Sequence, residues 1–358
     1  MRKRLPQRAQ STTAVTENVA EDAAIIINIF YTLFPLCVLL YSVETFSFLL
    51  AWNLSPFVLS LPLRGMVPRI SKRSSFLISN ATPEAYTELY GAAKPGADSE
   101  GRMLTAVTHL KPVGRGVTAP HLFTADDGET YVVKFQANKI GPKVLVNELL
   151  AAKLGERWQL CFPPSGLIYL SQKVVNQEYY LSQRVQAGVH FASRFLPSCR
   201  YLNRFLLHKA VNKPDMAGVM LFDHLFHNVD RTHNPRNLLI RQETDGWRLY
   251  AIDHSHLFYR GKWTPESLNK LLTIISINCQ RSFGVLLKHY LQADDFLPCL
   301  QKIEATSDAD FAEMVNEIPQ EWLPGAEERE LLTNWLCQRR GYAAEIADQL
   351  CRLTSPHL

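Results

Sequence analysis

Charge is divided unequally along this chain, and the division limits what its first third can fold into. From Ala23 to Leu63, 41 residues carry one charged side chain, Glu44, while the other 317 residues carry 71 of the 72 charges. At ordinary charge density about nine would fall in such a window. A stretch with so little charge calls for burial in protein or in lipid. It consists of two apolar runs, Ala23–Val43 and Thr45–Leu63, each close to the ~20 residues that span a bilayer and longer than the apolar region of a signal peptide. Arg2, Lys3, Arg4 and Arg8 precede the runs, and Arg64, Arg69, Lys72 and Arg73 follow them. By the positive-inside rule both flanks prefer the cytoplasm, which requires an even number of spans. A helical hairpin over 23–63 turning at Glu44 meets that requirement, although Pro35, Pro56, Pro62, Asn28 and Asn53 weaken both helices. A single span or interfacial helix is a second reading. A third is an unstructured leader, with Met66 or Met103 as the true start. Residues 1–22 are polar and basic, and 64–102 read as a linker with one short helix near 83–90.

The whole chain, 358 residues, has room for about two domains. Its 47% hydrophobic and 10% aromatic content supports a large core and excludes global disorder. A net charge of +4 is too small and too dispersed to point to nucleic acid. Seven cysteines, at 37, 161, 199, 279, 299, 337 and 351, form no CxxC pair. Scattered thiols of that kind fit a reducing compartment and predict a cytoplasmic chain, held at the inner membrane face if 23–63 is an anchor.

From Met103 the pattern changes. Alternating MLTAVTHL reads as a strand, KPVGRGVTAPHLF is rich in turn residues, and ADDG joins a second β run to ETYVVKFQ. Lys134 sits inside that last apolar run, where an ammonium is costly without an anionic partner or an outlet to water. A helix is expected after Gly141-Pro142, with Val144, Leu145, Leu149 and Ala152 on one face, Glu148 in the middle and Gly155 as its stop. LIYL and EYYLSQRV read as two further strands, which makes a small antiparallel sheet with one helix against it. A helical lobe follows. In it, the periodic PDMAGVMLFDHLFHNVD runs into a polar cluster from Asn228 to Asn237, and a hairpin then ends at Asp253. Thr264-Pro265 and Ser307 with Asp310 are helix starts.

A lysine on an early strand, a glutamate on the next helix, an Asp…Asn cluster and a strand-borne Asp form the set that phosphoryl transfer from ATP uses. The lysine holds phosphates and the glutamate orients it. One Asp faces the acceptor hydroxyl, and Asn and Asp oxygens hold Mg²⁺. Five histidines (224, 227, 233, 254, 256) also crowd this region, but zinc prefers a closed tetrahedral set and no cysteine lies nearby.

Three segments together resemble the HipA-like kinases, distant relatives of the phosphatidylinositol and protein kinases. They are Gly-Pro-Lys-x-Leu-Val-Asn-Glu-Leu after VVKFQ, Asn-Val-Asp-Arg-Thr…Asn-Pro-x-Asn-Leu-Leu, and Ala-Ile-Asp-His-Ser-His-Leu-Phe. The likeness covers about 103–345 and implies an α+β, two-lobed kinase-like domain over 103–358. Its sheet lobe would run to about 185, with a helical lobe after it and ATP between them. It implies Lys134 and Glu148 at the phosphates, Asp230 as catalytic base, and Asn237 and Asp253 on Mg²⁺. Gly114, Gly116 and Thr118 would form the phosphate loop, and Gln183 and Val185 the hinge that holds adenine. The implied reaction phosphorylates a hydroxyl on a protein or other acceptor. A degenerate nucleotide-binding scaffold and an AMP-transferring enzyme are the alternatives. One departure stands out: the Asn follows Asp230 by seven residues where many relatives have five, which leaves Asn234 as a rival ligand.

Overall fold

The computed structural model describes residues 103–113 and 118–354. The apolar run 23–63, its linker, Gly114 and Gly116 lie outside the described residues. Among the described residues no helix is long and apolar enough to cross a membrane.

Five strands close into a barrel in the order β1-β2-β3-β5-β4. They are β1 (Leu104–Pro112), β2 (His121–Ala125), β3 (Thr130–Lys134), β4 (Ser165–Leu170) and β5 (Gly188–Arg194). Closure comes from a parallel contact, Leu104 opposite Ile168, so the expected purely antiparallel sheet is instead a mixed barrel without free edges. Phe123, Val133, Ile168, Leu170 and Ala192 fill its interior. Between β3 and β4 runs α1 (Lys143–Arg157), buried around most of its circumference. Gly155 does not stop this helix. It sits inside the last turn, where a Cβ would come within 2.4 Å of the Phe162 ring, so the glycine serves close packing.

One expected strand is a helix. EYYLS forms α3 (Tyr179–Ser182), after the short α2 (Gln172–Val175). Only Leu181 of α3 is buried, while Tyr179 is 79% exposed, so its aromatics carry β propensity without a pleated surface to pack on. The fifth strand is instead β5, which pairs with both β3 and β4 and extends the sheet lobe to Arg194 rather than to about 185. Val189, His190, Phe191 and Ala192 are all buried, so this central strand lacks the polar alternation that marks a half-exposed one.

Phe195–Cys199 lead from the barrel to β6 (Arg200–Tyr201) and α4 (Arg204–Leu207). The core of the second lobe is α5 (Asp215–Leu225), nearly every residue of which is buried. Then come α6 (Asp230–His233), a 3-10 turn over Pro235–Asn237, and the hairpin β7 (Leu238–Glu243) and β8 (Gly246–Ala251), with β6 on its edge. The remainder is helical: α7 (Pro265–Leu271), α8 (Arg281–His289), α9 (Leu297–Ala305), α10 (Asp308–Asn316), α11 (Ala326–Arg340) and α12 (Ala343–Cys351). Capping boxes at Thr264 and Ser307 start α7 and α10 as expected. Trp158, Phe222, Phe226, Trp263, Trp322 and Trp335 fill this larger core, which locks the base of α1 to the helical lobe.

Candidate active site

The end of β3 faces the middle of α1. From there the Lys134 ammonium reaches the Glu148 carboxylate at 2.5 Å and Asp253, beyond β8, at 2.9 Å. Burial by itself would drive the lysine proton off, but Asp253 and Glu148 outweigh it and raise its pKa above the ordinary lysine value. Burial likewise acts to raise the Asp253 pKa. The Lys134 charge and the hydrogen bonds from Ser255 and Lys134 prevail and hold the carboxyl well below the usual carboxylate range. Ser255 donates its hydroxyl to Asp253 at 2.6 Å, and the His254 amide donates to Glu148 at 3.1 Å. Asp253 has φ +61°, in the left-handed region, a conformation held by these contacts that turns its carboxylate out of the strand direction.

Asp230 opens α6, and the Asn237 amide donates to its carboxylate at 2.6 Å. The Asn234 amide donates in turn to the Asn237 side-chain oxygen at 3.1 Å, and Asn234 accepts from the Arg236 amide at 3.2 Å. Asn234 is extended before Pro235, as proline requires of its predecessor. The Ile252 amide donates to the Asn237 carbonyl at 3.0 Å, so Asn237 lies beside the residue that precedes Asp253. A 3-10 turn over Pro235–Asn237 fills the last part of the stretch between Asp230 and β7. His256 stands 3.9 Å from the Asp230 carboxylate.

A clamp under this loop was not singled out from the sequence. Arg231 is fully buried and bonds Asp223 at 2.7 Å. Its guanidinium also donates to the carbonyls of Asn237 (2.9 Å) and Ile252 (2.6 Å), while Asn228 donates to Asp223 at 2.9 Å. Arg231 therefore ties the strand leading to Asp253 to the loop bearing Asp230. The readable signal was Asp223, a carboxylate in the otherwise apolar run of α5.

The structure brings together Lys134, Glu148 and Asp253, and separately Asp230, Asn234 and Asn237. Thr118 is buried just before β2. Gln183 and Val185 do not follow a strand. They close the helical turn of α3, where their amides are already bonded to the carbonyls of Tyr179 and Leu181. The chain that follows the last barrel strand is Phe195–Cys199. Of the histidines, His224 bonds Met220 O and Asn278 N, and His227 bonds Leu271 O. Among the described residues no three His, Cys, Asp or Glu side chains cluster to hold an ion.

The HipA-like kinase pattern matches residues 107–340, and the chain belongs to that family. No curated protein matches the sequence. Similar solved structures include the Helicobacter pylori proinflammatory kinase CtkA, 13% identical over 69% of this chain and 96% of that one, TM-score 0.44. Hydra Fam20 with sugar is 11% identical, covering 70% and 86%, TM-score 0.43. The Golgi casein kinase with Mn/ADP bound is 11% identical, covering 69% and 72%, TM-score 0.36.

Proposed function

We propose that this chain is an ATP-dependent phosphotransferase that moves a phosphoryl group to a hydroxyl of a protein serine or threonine, or of another acceptor. The observation that carries the reading is Lys134, buried and held between a helix carboxylate of the sheet lobe and the carboxylate that follows β8. A lysine of purely structural use needs neither burial nor two carboxylates from different elements.

Mg·ATP supplies the transferable phosphoryl group. Lys134 is placed to hold its α- and β-phosphates, with Glu148 fixing the ammonium. Asp230 is the base for the acceptor hydroxyl and is kept in place by Asn237. Asp253, ionised throughout the physiological range, and Asn237 offer the hard oxygens that Mg²⁺ takes. Two protein ligands suffice, because this ion keeps waters and substrate phosphates in its remaining positions. The adenine contacts fall to Phe195–Cys199, where the two lobes join. Catalysis by this set is positioning and charge neutralisation.

The test is intact-mass analysis of candidate acceptors with Mg·ATP, beside thermal melting. Saturating Mg·ATP raises the melting temperature, because the ligand binds only the folded chain. Acceptors gain about 80 Da per phosphoryl group. Asp230→Asn lowers turnover by about 10²–10⁴ while the thermal shift persists. A nucleotide-sized increment would establish AMP transfer in its place, and no thermal shift at all would end the reading.

A further inference from the structure

We propose that the acceptor is a protein segment with carboxylates beside the phosphorylated hydroxyl, received on a basic, aromatic surface next to the Asp230 loop. The proposal rests on the phosphotransferase reading above and adds the substrate class. From Gly188 to Pro214 the chain has no acidic residue and five Lys or Arg. Two exposed aromatics stand in this stretch, Tyr201 (59%) and Phe205 (83%). Tyr201 pairs with Leu239, two residues past Asn237, and the guanidinium of Arg236 lies 5.9 Å from the Tyr201 ring. Arg236 immediately precedes Asn237, so this surface begins one residue from the loop that holds Asp230.

Among the described residues, half of the exposed arginines without a carboxylate partner belong to this surface. Arg157, Arg194, Arg248, Arg340 and Arg352 each have a carboxylate partner on the protein's own surface. Among the described residues, Arg200, Arg204 and Arg236 have none and are exposed, as are Arg184, Arg260 and Arg281 elsewhere. Exposed arginines alternating with exposed tyrosine and phenylalanine make the composition enriched at protein interfaces. The planar guanidinium fork matches a carboxylate bidentately. A nucleic-acid track would need basic residues continued across the lobe, but the neighbouring β7–β8 hairpin carries Glu243 and Asp245 at its turn. An acidic side chain flanking the acceptor hydroxyl would meet Arg236 while the hydroxyl faces Asp230, and Arg204 with Phe205 would receive residues further along.

The test gives the full chain Mg·ATP and a degenerate peptide library with a central serine or threonine, and reads which flanking residues are selected. Asp and Glu should be enriched at least threefold over Lys and Arg at one flanking position or more. In Arg236→Glu or Arg204→Glu, both exposed positions, that preference should vanish or invert. Equal use of acidic and basic flanks, or a preference untouched by both charge reversals, overturns the proposal. Phosphorylation of RNA or a small molecule instead of any peptide, with Mg·ATP still raising the melting temperature, overturns it too and leaves the phosphotransferase reading intact. Loss of the thermal shift itself would strike the underlying reading.

Discussion

Lys134 and Arg231 are buried cations of the candidate site, and they are buried in different ways. Lys134 is shared between Glu148 and Asp253, and the Asp253 side chain keeps 34% of its exposure. Arg231 is sealed: its side chain is 0% exposed and that of Asp223 2%. The first arrangement leaves one face of a carboxylate open to solvent and to whatever enters between the lobes. The second has no such opening: Nε and Nη1 of Arg231 go to one carboxylate and to backbone carbonyls on two segments, while Nη2 is buried without a hydrogen-bond partner. The contrast separates a site that can exchange partners from a clamp that holds the site's geometry, since only an accessible charge can trade a protein partner for a ligand.

The largest effect that could break this distinction is the loss of the clamp. Arg231→Ala leaves Asp223 buried and unpaired and should cost about 3–5 kcal/mol, lowering the melting temperature by about 10 °C. Lys134→Met should cost less than about 3 kcal/mol, because Asp253 keeps water and Glu148 keeps the His254 amide, yet should abolish phosphoryl transfer. Chemical denaturation of both variants decides it: equal losses would mean that the two cations play the same structural part.

Acid tests a different kind of burial, that of neutral histidines. Burial lowers the His190 and His227 pKa values to about 4, in His227 with help from the Arg339 charge. The unfolded chain binds these protons near pH 6.5 and the native one only near 4. Stability is therefore full above about pH 6.5 and falls as the pH drops toward 4. Up to about 2 kcal/mol should be lost per histidine by pH 5. Asp253 remains ionised over that range, so its own carboxylate should contribute little to the slope. Urea unfolding of the wild type and of His227→Gln at pH 7 and pH 5 measures this. A slope unchanged by the substitution would refute the His227 share.

The smallest expected effect concerns what the clamp positions. Because Arg231 and Ile252 both hold the Asn237 carbonyl, Asn237 should be the metal ligand and Asn234 its support. Asn237→Ala should raise the Mg²⁺ requirement of the reaction about tenfold, a difference of about 1.4 kcal/mol, and Asn234→Ala by less. The reverse order would place the ligand at Asn234.

Much of the candidate site stands out in the sequence because its residues break local rules. Lys134 in an apolar strand and Asp253 at a strand end are conspicuous against their surroundings. The polar run Asn228–Asn237 after an apolar helix is conspicuous in the same way. Gln183 and Val185 were expected to follow a strand because Tyr179 and Tyr180 imitate one, whereas the strand is β5, which is buried on both faces and shows no alternation. The Arg231 clamp was hidden for another reason: an arginine next to Asp230 in a polar run looks like surface charge until its burial is seen.

The sequence by itself determined the elements from β1 to β4, the helix starts at Thr264 and Ser307, and the residue types of the candidate site. These depend on local periodicity, on capping and on the cost of charge in apolar runs, all of which act over a few residues. Tertiary structure alone decided that β1 and β4 close a barrel and that β5 rather than Tyr179–Ser182 is its fifth strand. It also decided that Asn237 lies against Ile252, and that Lys134 meets a carboxylate 119 positions away. Pairings over such separations depend on which surfaces exclude water together, and no window of the sequence contains both partners.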